Sequence, residues 1–161
     1  MNKIAIHKRD GSFSDRWIEY CLQHKINFKI VNCFDNNILD QLSDCDGLMW
    51  HWQHNDPKAI LFAKELIYLV ESYGKKVFPN TATIWHFDDK ISQKYLFESL
   101  RAPFPETKLF YDQDEAIDWA ERAIFPKVFK LRRGAGSSNV FLIKNKADAH
   151  KIIRRAFSKG I

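Results

Sequence analysis

Short apolar stretches alternate with amphipathic ones over the first half of the chain. Residues 3–7, 26–31 and 47–52 are mostly apolar runs with the length of buried strands, and 75–78 forms a fourth, shorter run. Between these runs the hydrophobic residues recur at helical spacing. Because strand and helix alternate in this rhythm, the pattern predicts a parallel β-sheet covered by helices.

The helices of this half carry signals for their ends. Ser14 is the expected N-terminal cap of a helix over 14–25. Asp56 followed by Pro57 predicts the start of a long helix, since proline fits the first helical position. Gly74 is the expected end of that helix.

The rhythm changes after Asn80. Two strands now follow each other directly, which favours a small α+β unit with an antiparallel sheet. We therefore expect two domains, 1–79 and 80–161. The elements predicted for the second are a helix over 88–100, a strand over 106–111, a helix over 113–123 capped by Asp112, strands over 127–131 and 139–144, and a helix capped by Asn145.

Composition places the chain among ordinary globular proteins. Hydrophobic residues make up 45% of it, with 13 Phe and 5 Trp, which is enough for a core. No apolar run is long enough to span a bilayer, and the N-terminus does not resemble a signal peptide. Three cysteines in no tight pattern fit a reduced compartment. We therefore expect a cytoplasmic protein without a membrane partner.

Charge is distributed unevenly. Residues 1–126 carry 15 Lys and Arg against 19 Asp and Glu, whereas 127–161 carry ten against one, Asp148. Such a basic region is suited to an anionic partner, and a nucleotide and a nucleic acid both qualify.

Lys130 and the loop that follows it are the first candidate site. Lys130 lies in an apolar strand, where burial of its ammonium is unfavourable unless an anion meets it. The alternative is a lysine that extends to water. Gly134 and Gly136 allow close approach of the backbone to a ligand, and Ser137 and Ser138 add hydroxyl donors. The loop is not a Walker motif, and an unliganded hairpin turn is the alternative.

A larger pattern surrounds this loop. An Asp-Lys helix start at Lys90, then Lys94, then "APFPET" at 102–107, a capped helix, "FPKVFK" and "GSSNVFLI" follow in order. This set resembles the N-terminal half of the ATP-grasp ligases, the superfamily of D-alanine–D-alanine ligases, glutathione synthetases and glutamate-adding ligases. The resemblance covers essentially the whole chain. It implies a Rossmann-like pre-ATP-grasp domain over 1–79 and the first lobe of the ATP-grasp domain over 80–161.

The resemblance also implies ATP as cofactor and a small carboxylate as substrate. ATP would phosphorylate the carboxylate, and an amine or thiol would displace the phosphate. The two ATP-contacting lysines of the family correspond to Lys90 and Lys130, and its phosphate-covering loop to 132–138. Arg132 and Arg133 have no firm counterpart in that pattern. They are either additional phosphate contacts, among which Arg132 is counted, or charges that only keep the loop soluble.

The chain departs from the family in its acidic residues. The Mg²⁺ ligands of the family are a late acidic pair with an asparagine, whereas only Asp148 is acidic after Lys130. The second lobe is absent too. We therefore expect a fragment that is inactive by itself, with no catalytic or metal-binding residue of its own and with Mg²⁺ only in a full-length protein.

Two further groups of residues are candidates for substrate binding. Trp50 and His51 end a predicted strand, where ligands bind in doubly wound sheets. The loop after the first strand often contacts the acyl-accepting substrate in the family, and that implies roles for Ser12, Ser14 and Arg16. His51 with His54 is weak evidence for a metal, and a structural role is favoured there.

Two other functions remain open. The last helix exposes Lys151, Arg154 and Arg155 opposite its apolar face, as a nucleic-acid-binding module would. No groove-reading motif accompanies them, so nucleic acid is the less favoured partner. A non-catalytic nucleotide-binding scaffold would have the same sequence features as the ligase fragment.

Overall fold

The computed structural model describes residues 2–134 and 139–158. The chain divides into two compact units, Met1–Trp85 and His86–Ile161. The division lies a few residues beyond the boundary predicted between 79 and 80. The reason is a short helix after Asn80 that packs on the first unit through the buried Ile84.

The first unit is built on a four-stranded sheet in which every pair of neighbours is parallel. The strand order is β2-β1-β3-β4, so the predicted parallel sheet is confirmed. The strands are β1 (Ile4–His7), β2 (Phe28–Val31), β3 (Gly47–Met49) and β4 (Lys76–Phe78), and the helices are α1 (Phe13–Gln23), α2 (Ile38–Leu42), α3 (Pro57–Ser72) and α4 (Thr81–Ile84).

The core of this unit lies between the sheet and α3. Ala59, Ala63 and Ile67 recur along one face of α3 and are buried against the strands. Small side chains on this face allow the helix to approach the sheet closely, while burial of the larger ones supplies the hydrophobic stabilisation. The strand predicted over 47–52 ends at Met49, but Trp50 and Trp52 continue into the core beyond it.

Two helix ends differ in how well the sequence predicted them. Asp56 caps α3 as expected, accepting hydrogen bonds from the amides of Lys58 and Ala59. The prediction that Ser14 caps α1 is wrong. Ser12 is the N-cap, and Ser14 lies inside the first turn, where its buried hydroxyl bonds to the backbone of Arg9 instead.

The second unit is a β-hairpin with helices on one of its faces. Its elements are α5 (Lys90–Ser99), α6 (Gln113–Arg122), β5 (Lys127–Lys130), β6 (Val140–Ile143) and α7 (Lys146–Ser158). β5 and β6 pair antiparallel, as predicted, with Lys130 opposite Val140. Ala116 and Ala120 of α6 and Ile153 of α7 form the buried centre of this unit.

One predicted strand does not form. Residues 106–111 belong to no β-ladder in the part of the chain that the structure describes. Phe110 packs on the core and its ring lies 5.3 Å from that of Trp119. The apolar pattern of this segment therefore reflects side-chain burial without strand pairing. Across 2–134 and 139–158, no helix combines the length and the apolar character that a membrane crossing needs.

Candidate functional site

The start of α5 carries a buried carboxylate, Asp89, directly before Lys90. Asp89 is the N-cap: its Oδ1 accepts hydrogen bonds from the amides of Ile91 at 3.0 Å and Ser92 at 3.2 Å. The residue is only 4% exposed. A buried carboxylate is tolerated when its oxygens are hydrogen-bonded, and the other oxygen is bonded by Arg132.

Arg132 connects the loop after β5 to the start of α5. Its Nε and Nη2 donate to Oδ2 of Asp89 at 2.9 and 2.6 Å, and its carbonyl accepts from the amide of Lys90 at 3.0 Å. Burial of Asp89 opposes ionisation, but the bonds from Arg132 and the two helix amides outweigh it and hold the pKa of that carboxyl below its usual value. Arg132 therefore fixes the start of the loop beside the start of α5.

Lys90 lies between this anchor and the glycine loop. Its Nζ donates to the carbonyl of Gly134 at 3.0 Å and is 3.4 Å from Oδ1 of Asp88. The other oxygen of Asp88 accepts from the amide of Gly134 at 3.4 Å. Gly134 has a φ of 119°, a conformation that side-chain-bearing residues rarely adopt. The structure thus brings together three residues of the predicted site, Lys90, Arg132 and Gly134.

Lys130 lies at the end of β5 on the face of the hairpin that α6 and α7 leave open. Val128 and Leu142, opposite each other in the register, are exposed on this same face. Phe129 and Phe141 are on the other face and pack on the core. Lys130 is exposed, and among the described residues no side chain or carbonyl pairs with its ammonium. Within the described residues, this strand therefore presents an unpaired ammonium beside an apolar surface.

The remaining loop residues of the predicted site are not described. Gly136, Ser137 and Ser138 lie outside the described residues. The described base of the loop is closed by the amide of Leu131, which donates to the carbonyl of Asn139 at 3.1 Å, and by the Asn139 side chain, which donates to the carbonyl of Arg133 at 3.0 Å. Both bonds continue the hairpin beyond its last ladder pair.

The sequence interpretation missed Asp88 and Asp89 as part of this site. Both carboxylates bond to the basic loop and so neutralise part of its charge. The signal was present, since Asp89 stands at the capping position before a helical pattern. The sequence pattern did not reveal the partner of Asp89, Arg132, which lies 43 residues further along the chain. Lys94, on the same helix face as Lys90, pairs with Glu98 at 2.6 Å.

The first unit separates the predicted substrate residues into buried and accessible ones. Trp50 is 1% exposed and packs against His7 and Phe34 in the core. Ser14 is equally buried, its hydroxyl bonded to the backbone of Arg9. Both side chains have structural roles in this conformation, because neither is accessible to a ligand.

The other predicted residues remain accessible near the carboxyl ends of β1 and β3. Ser12 caps α1, and Arg16 is exposed and pairs with Glu19 at 3.2 Å. His51 is half-buried, with its ring perpendicular to that of Phe13 at a centroid distance of 4.6 Å. Burial and the charge of Arg9 lower the pKa of His51. The sequence interpretation did not select Arg9, which nothing but its place after β1 distinguishes.

The acidic side chains do not assemble into a metal site in the described part of the chain. Within 2–134 and 139–158, no group of three or more His, Cys, Asp or Glu side chains is arranged to hold an ion. Asp148, the late carboxylate, accepts from the side-chain amide of Asn145 and belongs to the cap of α7. The carboxylates of the described residues therefore do not form a Mg²⁺ site by themselves.

Comparison with known proteins identifies the fold. No protein-family model and no curated protein matches the sequence. Solved structures do match: a RimK domain protein ATP-grasp from Sphaerobacter thermophilus superposes with a TM-score of 0.70 at 16% identity, over 98% of this chain and 60% of that one. N5-carboxyaminoimidazole ribonucleotide synthetase from Thermotoga maritima gives 0.68 at 22% identity, over 94% and 43%.

A third structure carries nucleotide. The biotin carboxylase domain of 2-oxoglutarate carboxylase from Hydrogenobacter thermophilus, solved with MgADP, ADP and bicarbonate, gives a TM-score of 0.70 at 15% identity, over 98% of this chain and 40% of that one. The chain thus spans 40 to 60% of the length of these structures. It has the fold of the N-terminal region of ATP-grasp proteins: a parallel sheet unit followed by a lobe with an antiparallel hairpin.

Proposed function

We propose that this chain is part of an ATP-dependent ligase that joins a small carboxylate to an amine or thiol through an acyl phosphate. Within such a ligase this chain would provide one of the two sides of the ATP phosphate site, which is called the nucleotide half-site below. The observation that carries the proposal is the arrangement of Lys90, hydrogen-bonded to Gly134 in the basic loop, near the strand from which Lys130 extends. The ATP-grasp fold and the bound ADP of a similar structure support it.

Lys130 has the clearest role in this proposal. Its ammonium is exposed beside Val128 and Leu142, so an approaching nucleotide covers it with little competition from protein carboxylates. Removal of water from such a pair strengthens a charge-assisted hydrogen bond to phosphate. Lysine suits this task because its compact charge can follow a phosphate oxygen.

Lys90 and Arg132 have different roles. Lys90 is within bonding distance of both the loop carbonyl and Asp88, so it can exchange one of these contacts for a phosphate oxygen while still holding the loop. Arg132 is bonded to the buried Asp89 through two nitrogens and positions the loop. The phosphate contact expected for Arg132 stays a prediction beside this positioning role.

Phosphoryl transfer needs alignment and charge neutralisation more than covalent chemistry from the protein. The two lysines and the amides of the loop supply part of both in this proposal. Mg²⁺, which would neutralise phosphate charge when bound, requires carboxylate ligands that the described residues do not provide. A second lobe in a longer protein would supply them, together with the other wall of the nucleotide site.

The direct test is a titration of the chain with ATP, comparing Lys130→Met with Lys127→Met. Both lysines are exposed on β5, but Lys127 alternates to the other face, so the pair differs only in position. Loss of a charge-assisted bond of roughly 1.5–3 kcal/mol weakens binding about tenfold or more in Lys130→Met alone. Equal affinity of the two variants and the wild type contradicts the half-site.

The same titration separates the other two functions. Single-stranded RNA in place of ATP tests the nucleic-acid alternative, in which binding falls steeply with salt and depends on Arg154 of α7. A nucleotide-binding scaffold binds ATP through Lys130 as the ligase does. Turnover by a longer protein that includes a second lobe distinguishes the ligase from the scaffold.

A further inference from the structure

The order of the strands places a topological switch point in the first unit. From β1 the chain proceeds through α1 to β2 on one side, whereas β3 lies on the other side of β1. In open parallel sheets, ligands bind outside the carboxyl ends of the strands at the point where the connections diverge. Here that point lies between the residues after β1 and those after β3.

Arg9, just after β1, is held there by the fold. Its amide donates to Oγ of Ser14 at 2.9 Å, and its carbonyl accepts from the same hydroxyl at 3.0 Å. Its Nε is buried, yet no described residue accepts a hydrogen bond from it. Buried donors without partners are rare in folded proteins because they lose water and gain nothing in return. The fold therefore fixes the backbone of Arg9 and leaves a donor unsatisfied.

His51, just after β3, has the same property. Its Nδ1 is buried without a partner among the described residues, while its ring packs perpendicular to that of Phe13. β1 and β3 pair directly, with Ile6 opposite Met49, so the segments that carry Arg9 and His51 leave the sheet next to each other. The charge of Arg9 also contributes to the lowered pKa of His51. Two buried nitrogens without a hydrogen-bond partner among the described residues thus lie after β1 and β3, the two strands from which the connections run in opposite directions.

Neighbouring carboxylates do not satisfy this pair. The carboxylate of Asp15 accepts from the amide of Gly11 at 2.8 Å, and that of Asp10 pairs with Lys8 at 3.0 Å. Guanidinium nitrogens only donate, whereas Nδ1 of a neutral imidazole donates or accepts according to its tautomer, and an anion beside Arg9 selects the tautomer that donates from Nδ1. The missing partner is therefore an acceptor, and an anionic one is favoured beside Arg9.

We infer that Arg9 and His51 form a binding site for an anionic group, a carboxylate or a phosphate, at the switch point between β1 and β3. The side chain of Arg9 provides the charge and His51 a second donor. The inference rests on the proposed function only for the source of the anion, which would be the carboxylate substrate. The unsatisfied nitrogens belong to the first unit and do not depend on the nucleotide half-site.

The test is a titration of the full chain with inorganic phosphate and, separately, with acetate, at constant pH and ionic strength, followed by amide NMR. We expect saturable shifts at residues 9–12 and 51, and the tighter of the two ligands identifies the class. Arg9→Met is expected to weaken binding at least about tenfold. Arg154→Met, an exposed arginine of α7, removes the same charge elsewhere and leaves these shifts unchanged.

Stability separates a ligand site from a structural arginine. Because Arg9→Met removes an unsatisfied buried donor, its denaturation midpoint is expected to equal or exceed that of the wild type. His51→Phe keeps an aromatic ring against Phe13 and is expected to weaken anion binding several-fold. Absence of saturable shifts, unchanged affinity in both variants, or loss of folding in Arg9→Met each overturns the inference.

The outcomes for the two sites are independent. Lys130→Met is expected to lose ATP and to keep the phosphate or acetate shifts at residues 9–12. If Lys130→Met leaves ATP binding unchanged while Arg9→Met weakens anion binding, only the nucleotide half-site is contradicted. If Lys130→Met weakens ATP binding while Arg9→Met leaves anion binding unchanged, only the site at Arg9 and His51 is contradicted.

Discussion

Asp89 serves two neighbours at once. One carboxylate oxygen caps α5, and the other holds Arg132 and with it the base of the glycine loop. A single side chain thereby connects a local signal, the helix start, to a contact between segments 43 residues apart. The geometry of the candidate nucleotide site depends on this connection.

Variants of Asp89 can separate the two roles. Asp89→Ala removes the cap and the ion pair, and we expect the free energy of unfolding to fall by about 2 kcal/mol. Asp89→Asn keeps a capping oxygen and loses the charge, so its effect is expected to be smaller. Chemical denaturation measures both, with Asp112→Ala, an exposed cap on α6, as the comparison. An effect of Asp89→Ala no larger than that of Asp112→Ala would contradict the second role.

The elements of the first unit show two different reasons for glycine. Gly47 of β3 lies beside Lys76 of β4, and an added Cβ would be 2.7 Å from the Lys76 carbonyl oxygen. Gly74, after α3, has a φ of 79° and open space around it. The first glycine allows two strands to approach, whereas the second provides a left-handed conformation.

Substitution distinguishes these two reasons. Gly47→Ala is expected to destabilise the protein by about 1–3 kcal/mol through the clash with the neighbouring strand. Gly74→Ala is expected to cost about 1–2 kcal/mol through backbone strain. Asparagine, which tolerates the left-handed region, should restore much of the loss at position 74 and none at position 47. Urea denaturation of the four variants provides the measurement, and rescue by Gly47→Asn would argue against the steric explanation.

At the scale of the whole molecule, the two units respond to acid in different ranges. Burial and the charge of Arg9 lower the pKa of His7 in the first unit, so its folded form takes up a proton less readily than its unfolded form. In the second unit, bonds to Arg132 and helix amides lower the pKa of Asp89 despite its burial. Both groups therefore stabilise the protein at neutral pH and lose this effect on acidification.

The expected pH profile follows from these directions. Stability from His7 begins to fall below about pH 6.5, by at most about 1.4 kcal/mol per pH unit. Stability from Asp89 falls only below about pH 4, the pKa of an unfolded carboxyl. His7→Asn retains an acceptor for the amide of Cys33, which His7 binds through Nδ1 at 3.0 Å, and should flatten the profile between pH 7 and 5. The same slope in wild type and variant would exclude His7 as its source.

Hydrophobic periodicity and capping residues were sufficient to predict most of the helices and strands. The parallel order of the first sheet, the hairpin of the second unit and the caps at Asp56 and Asp112 agree with prediction. The misplaced cap at Ser14 and the absent strand over 106–111 have one cause. In each case the residue types suit the predicted role, but the folded chain gives them other contacts. The Ser14 hydroxyl bonds to the backbone of Arg9, and residues 106–111 pair with none of the described strands.

Local order along the chain thus accounts for the fold, since helices and strands depend on neighbours within a few positions and the rules of connection restrict how they assemble. The composition of the loop after Lys130 likewise marked one candidate site. The bonds of Lys90 and Arg132 and the unsatisfied nitrogens of Arg9 and His51 emerged only with the folded chain. Burial and hydrogen-bond satisfaction depend on residues distant in sequence, and no local pattern specifies them.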